Sequence, residues 1–196
     1  MRLLLLARHG QSLFNVSGVV NGDPALDRGL SDPGRAAARS LGVQIAGIAI
    51  DLCVTSRFPR AQETARLALG DERAFVPTLV DEGLDDVRIG ELEGDTLAQY
   101  HEWKQAHARS DRFPGGESLD EAAARYADAF ERLAGRREET ILCVCHEIPV
   151  RYAINAAAGS DDLDGPHHDI RNATPYVFDP EGLRRAVERI RALAPT

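Results

Sequence analysis

Two histidines stand where chemistry is expected. His9 follows the apolar run Arg2 to Ala7, and His146 follows Thr140 to Cys145; both runs read as strands. In an open α/β sheet, side chains just past the carboxyl ends of strands line the ligand crevice, so the two imidazoles can share one site. His9 is preceded by Arg8, followed by Gly10, and trailed by Gln11, Ser12 and Asn15. Glycine lets a ligand approach the backbone, and the planar fork of arginine suits the oxygens of a phosphate. A lone histidine is more often structural, and this company changes the reading. His146 also stands ahead of a helical pattern whose free N–H groups favour an anion.

The elements that must position these residues alternate between apolar runs and helical patterns, the sign of an α/β domain. After the first strand, Ser31 and Pro33 open an alanine-rich helix from Asp32 to about Ala46. Serine supplies the N-cap oxygen, and proline gives up only an N–H that a first turn leaves unpaired. Ile50 to Val54 reads as a second strand, Pro59 to Leu69 as a helix, and Phe75 to Thr78 as a weaker strand. Asp81 to Asp95 carries three glycines and seven carboxylates, which predicts an irregular loop too acidic for the core. Thr96 to Ala108 and Glu117 to Ala134 are helical patterns separated by the turn-forming segment Ser110 to Gly116. The pattern from Ile148 to Ala158 is helical, Thr174 to Phe178 reads as a strand, and the charged C-terminal segment is left unassigned. No repeat, low-complexity tract or interdomain linker divides the 196 residues, so a single domain is expected.

The motifs resemble those of the histidine phosphatase superfamily, which includes the phosphoglycerate mutases. Arg8-His9-Gly10-Gln11-Ser12 with Asn15 is similar to its signature. Further blocks follow in family order: Leu30-Ser31 with Gly34-Arg35-Ala36, then Ser56 with Arg60-Ala61 and Thr64-Ala65. Next come Gly90-Glu91-Leu92-Glu93-Gly94 and Gly115-Gly116-Glu117-Ser118, and finally His146. The resemblance runs from residue 1 to about 178. It implies a three-layer α/β/α fold with a central, mostly parallel sheet flanked by helices.

The resemblance also implies roles. His9 is the nucleophile that takes the phosphoryl group, and Arg8, Arg60 and His146 hold its oxygens; Arg60, not Arg57, registers as the second phosphate ligand. Asp86 falls four residues before the glycine of the Gly90 to Gly94 turn and is the proton donor, with Glu82 and Asp85 as alternatives in a carboxylate-rich loop. Ser12, Asn15, Glu147 and His168 are candidates for contact with substrate. Glu147 stands where the family usually has glycine, in a first helical turn from which it can pair with Arg151 four residues on. Leu92 replaces the common tryptophan of its turn. His101, His107 and His167 show no metal-ligand spacing and read as surface residues. No cofactor or metal is called for. A metal-independent phosphomonoesterase acting on a small phosphorylated metabolite is the activity implied. The rivals are a cofactor-dependent phosphoglycerate mutase and a phosphate-binding module without turnover. Against the mutase, the chain reads as short and lacks a tryptophan-rich stretch after Asn15, its only tryptophan being Trp103.

Composition narrows the class. A net charge of -8 argues against non-specific binding to nucleic acid or anionic lipid. Hydrophobic residues at 43% and charged residues at 28% exclude a disordered chain, and no apolar run is long enough to span a membrane. Cys53, Cys143 and Cys145 lie in apolar runs and read as core thiols of a reducing cytoplasm. Oligomeric state is open, a homodimer included.

Overall fold

The computed structural model describes residues 1–195. Its strands are β1 (Leu3–Arg8), β2 (Leu52–Thr55), β3 (Thr78–Val80), β4 (Thr140–Cys145) and β5 (Pro175–Phe178), hydrogen-bonded into one sheet in the order β3-β2-β4-β1-β5. Four of them run parallel, and β5 pairs antiparallel with β1 at the edge. The leucine run of β1 and the all-apolar centre of β4 suit strands covered on both faces. Leu5, Ala7, Cys53, Leu142 and Val144 face one apolar layer with α2 (Asp32–Gln44) and α3 (Pro59–Leu69). Leu4, Leu6, Val54, Ile141, Cys143 and Cys145 face the opposite layer, formed by α5 (Leu119–Ala134), α6 (Glu147–Ala157) and α7 (Pro180–Leu193). The result is the expected α/β/α sandwich.

β1 and β4 lie side by side, with Arg8 level with Cys145. The His9 N–H then donates to the Cys145 carbonyl at 2.9 Å, so the residues after both strands emerge together at one end of the sheet. Two short helices sit near that end: α1 (Leu13–Ser17) after the Arg8-His9-Gly10 segment, and α4 (Leu97–Ala106). Both begin with a capping box, Ser12 with Asn15 and Thr96 with Gln99.

The structure departs from the sequence reading in four places. The third strand lies at Thr78–Val80, beyond Pro77, and Phe75 is 81% exposed. Pro77 has no N–H but accepts from Cys53 N, so ladder pairing starts there. The acidic segment contributes to the core: Leu84, Val87, Ile89 and Leu92 are buried, as is the Asp85 carboxylate. Its apolar side chains turn inward around two 3-10 turns, Glu82–Leu84 and Gly90–Leu92, while Glu82, Arg88 and Glu91 are exposed. The helix expected from Glu117 starts at Leu119, because Glu117 instead accepts from Arg88 N and Arg125. The unassigned C-terminal segment is α7, capped by Asp179 with Pro180 in its first turn and burying Leu183, Ala186, Val187 and Ile190. Among the described residues, no helix is long and apolar enough to cross a membrane. The three cysteines are buried and unpaired.

Candidate active site

The segment after β1 is tied to the backbone around it. The His9 carbonyl accepts from Asn172 Nδ2 at 2.7 Å, Gly10 N donates to Thr64 Oγ1 at 2.9 Å, and Ser31 N donates to the Gln11 carbonyl at 3.0 Å. Gly10 and Gly34 let this loop lie directly on the start of α2: a Cβ on Gly10 would sit 2.5 Å from the Gly34 carbonyl oxygen. That closeness holds the His9 ring against the sheet.

His9 is 3% exposed, and its ring centroid lies 5.3 Å from that of His146. Its Nδ1–H donates to the Gly10 carbonyl at 2.6 Å, leaving Nε2 as an acceptor that Arg60 Nε reaches at 3.1 Å. Burial first, and then the positive charges of Arg60 and Arg8, push the His9 pKa well below the ordinary histidine value. The ring is therefore neutral at physiological pH, with its lone pair on Nε2, where it accepts from Arg60.

His146, wholly buried at the N-cap of α6, is polarised in the same way. Its Nδ1 accepts from Arg60 Nη2 at 3.2 Å, which puts its proton on Nε2, 2.8 Å from Ser56 Oγ. Phe58 packs edge-on against the ring at 4.5 Å. Burial, then the Arg60 and His9 charges, lower its pKa well below normal.

Arg60 is the hub. It lies in the first turn of α3, where Phe58 offers no side-chain cap, and Asp27 Oδ2 accepts the Arg60 N–H at 2.7 Å instead. Its guanidinium packs 4.2 Å from the centre of the Phe58 ring. Nη1 donates to Asn21 Oδ1 at 2.5 Å, and Nη2 lies 3.2 Å from both the Asn21 carbonyl and Asp86 Oδ2. Asn21 in turn donates to Glu93 Oε1 at 2.7 Å. Arg57, by contrast, is half-exposed and paired with Asp85 and Glu82.

The three carboxylate candidates separate cleanly. Asp86 lines the same cavity as His9 and Arg60, with Oδ2 3.5 Å from His146 Nδ1 and a side chain one quarter exposed. Burial pushes its pKa above the usual carboxylate value, and the Arg60 charge opposes that shift. Asp85 is fully buried against Arg57, with its Oδ2 2.6 Å from Arg57 Nε, and Glu82 is exposed; neither lines this cavity.

Arg8 donates to the Ile170 carbonyl at 2.9 Å and meets Glu147 Oε2 at 2.8 Å, while its buried Nε has no partner. Glu147 also pairs with Arg151 at 3.3 Å, so its charge is shared between two guanidiniums. Ser12 and Asn15 line the cavity, but the Ser12 hydroxyl and the Asn15 carbonyl oxygen are used in capping α1. His168 is exposed and does not line this cavity. His101, read as a plain surface residue, stands at the cavity rim. The sequence reading gave no role to Asn21 or Asp27, whose connection to Arg60 exists only in the folded chain.

Apolar walls include Phe14, Val19, Val20, Leu97, Tyr100 and Ile148, and Lys104 and Arg151 also line the cavity, which measures about 170 Å³. That is room for on the order of ten waters, the scale of a phosphoryl group with a small substituent. Among the described residues, no cluster of three or more His, Cys, Asp or Glu side chains could hold a metal ion. The arrangement offers an unprotonated ring nitrogen, converging cationic donors and a carboxyl group inclined to keep its proton, the parts that phosphoryl transfer requires.

Known proteins resemble this chain in sequence and fold. A 2,3-bisphosphoglycerate-dependent phosphoglycerate mutase of Methylobacterium sp. (strain 4-46) is 33% identical over 192 residues, covering 90% of each chain. The structure of a mycobacterial glucosyl-3-phosphoglycerate phosphatase complexed with VO3 superposes with a TM-score of 0.71 at 28% identity, covering 90% of this chain and 92% of that one. YhfR of Bacillus stearothermophilus superposes with a TM-score of 0.76 at 25% identity and covers 89% of both chains. The sequence profile of the histidine phosphatase superfamily (branch 1) matches residues 4–192, and with the site geometry above this chain belongs to that superfamily.

Proposed function

We propose that the protein is a metal-independent phosphomonoesterase that hydrolyses a small phosphorylated metabolite through a phosphohistidine. The observation that carries this reading is the state of His9, a buried neutral ring in the cavity wall whose Nδ1 proton is held by Gly10 and whose Nε2 lone pair accepts from Arg60, a donor that an entering phosphoryl group can claim. A phosphoryl group entering between His9 and Arg60 takes over the guanidinium donors. The unpartnered Arg8 Nε adds another donor. The phosphate dianion favours the charged form of His146, and a proton taken up from solvent on binding lets its Nδ1 donate to a phosphate oxygen.

Nε2 of His9 attacks phosphorus, the ester P–O bond breaks, and Asp86 gives its proton to the departing alkoxide. Asp86, now a carboxylate, takes a proton from water as the water oxygen attacks phosphorus. The P–N bond breaks, inorganic phosphate leaves, and His9 and Asp86 return to their starting states. Each preorganised donor on the transferring group is worth roughly 3–4 kcal/mol of barrier. The three buried thiols suit a reducing cytoplasm.

The curated relatives favour a second reading, a phosphoglycerate mutase. Length does not separate the two, since this chain covers 90% of the Methylobacterium mutase. The absence of a tryptophan-rich stretch after Asn15 supports hydrolysis, as does the phosphatase named among the solved structures. Incubation with 3-phosphoglycerate and catalytic 2,3-bisphosphoglycerate decides between them. Free phosphate supports the esterase, and isomer without phosphate overturns it. Turnover of an aryl phosphate with chelator present separates either enzyme from a binding module.

A further inference from the structure

Of the 23 Lys and Arg side chains, Lys104 is the only lysine, and it lines the active-site cavity. It stands on α4, where Leu97, Tyr100, His101 and Lys104 recur at helical spacing, and all four line that cavity. The face of α4 turned to the site thus ends in an ammonium group on the wall shared with Arg151 and Glu147. The Lys104 side chain is 22% exposed, and its Nζ lies 5.7 Å from the centre of the Tyr100 ring.

What sets Lys104 apart is how little holds it. Its nearest carboxylate oxygen, Asp164 Oδ1, is 3.8 Å away, beyond hydrogen-bond distance. Asp164 Oδ2 accepts from Arg109 at 2.6 Å, and Oδ1 is ion-paired with Arg151 Nη2 at 3.1 Å without accepting a hydrogen bond. Those arginines have further partners, Asp120 for Arg109 and Glu147 for Arg151. Three cations therefore surround one carboxylate; Arg109 Nη2 and Arg151 Nε are also without partners, but both arginines make other hydrogen bonds, whereas Lys104 makes none and sits 3.8 Å from its carboxylate. Burial lowers its pKa, the mark of a charge that lacks full compensation, although Asp164 opposes the shift. Glu147 does not cancel this surplus, because both of its oxygens are committed to Arg8 and Arg151.

We propose that Lys104 binds a second small oxyanion, a carboxylate or a phosphate, on the leaving portion of the substrate, while Arg8 and Arg60 hold the phosphoryl group that is transferred. The proposal rests on reading the cavity as a phosphoryl-transfer site. It narrows the substrate class to phosphomonoesters carrying a second anion. A compact ammonium with three rotatable donors suits this task, since the second group varies in geometry where the first does not.

The test is binding to the full chain carrying His9→Ala, which holds ligand without turning it over. Titration calorimetry compares 3-phosphoglycerate with glycerol 3-phosphate, and fructose 1,6-bisphosphate with fructose 6-phosphate. The expected result is that the doubly anionic member of at least one pair binds roughly 10- to 100-fold tighter, the worth of one hydrogen bond to a charged group. The pair that responds tells carboxylate from phosphate. Adding Lys104→Met reduces that preference to within about threefold and leaves glycerol 3-phosphate and inorganic phosphate unchanged, and Lys104→Arg restores most of it. Equal weakening of both members by Lys104→Met assigns Lys104 a purely structural pairing with Asp164 and overturns the proposal, as does a His9→Ala protein without preference in either pair. Phosphate release by the protein with His9 intact is scored separately. Selective binding without release refutes the esterase reading alone.

Discussion

Asp85→Asn is expected to cost stability and spare turnover, while Asp86→Asn is expected to do the reverse. The Asp85 side chain has no exposed surface, and its oxygens accept from Arg57 N at 2.9 Å and Arg57 Nε at 2.6 Å. Breaking a buried ion pair costs roughly 3–5 kcal/mol when the surviving charge is stranded. Arg57 is 43% exposed and re-enters water once released, so what is lost is closer to the charge-assisted hydrogen bonds alone. That gives about 2 kcal/mol, or a fall in Tm of roughly 4–8 °C for a domain of this size. Urea unfolding should show the midpoint moving with its slope unchanged. Asp86→Asn removes a charge that burial disfavours, so the midpoint holds or rises. Its steady-state turnover falls by roughly 10²- to 10⁴-fold, because proton donation and water activation are both lost. An aryl phosphate, whose leaving group needs no proton, should still phosphorylate His9 and give a burst of one phenol per enzyme. An alkyl phosphate should give none. A full catalytic loss in Asp85→Asn, or equal pre-steady-state behaviour of aryl and alkyl esters in Asp86→Asn, refutes the assignment; a Tm change below about 1 °C in Asp85→Asn refutes the energetic reasoning.

The pH dependence of folding follows from the two buried rings. His9 and His146 titrate well below their unfolded value of about 6.5, so the native state excludes protons that the unfolded chain binds. Their contribution is complete above pH 6.5 and is lost as pH falls below it, with a slope of up to about 1.4 kcal/mol per pH unit for each ring. Asp86 runs the other way, its contribution fading as pH rises through its raised pKa. Denaturant titrations from pH 7.5 to about 5 should therefore show falling stability, flattened in a His9→Gln/His146→Gln double variant; an unchanged slope in that variant counts against the protonation states. Gly34→Ala places a Cβ against the Gln11 carbonyl oxygen, well inside contact distance. A loss of roughly 1–3 kcal/mol in unfolding free energy and a weaker affinity for inorganic phosphate are expected, and a silent substitution would show that the loop is not clamped.

Much of this site could be read before folding because its parts are local. Each histidine ends an apolar run that only a doubly covered strand explains, and Pro59 marks the start of the helix that carries Arg60. The Glu147–Arg151 pair, four residues apart on one helix, was readable for the same reason. What escaped depends on distant segments meeting. Asn21 and Asp27 fix Arg60 across a loop that sequence shows only as polar. The acidic segment hid its core residues because its seven carboxylates outnumber the buried Leu84, Val87, Ile89 and Leu92. The C-terminal helix carried its signal in Asp179-Pro180 and the spacing of Leu183, Ala186, Val187 and Ile190, masked by the charges between them.

The adjacency of β1 and β4 has a consequence for biogenesis. β1 is synthesised about 130 residues before β4, so the two rings stay apart until both strands have been made. Bringing them together closes a long loop, a slow, non-local step whose entropy cost is met only when the centre of the sheet zips. A nascent chain halted before β4 lacks His146 and the strand that aligns it with His9, so phosphate can rescue folding only after β4 has emerged.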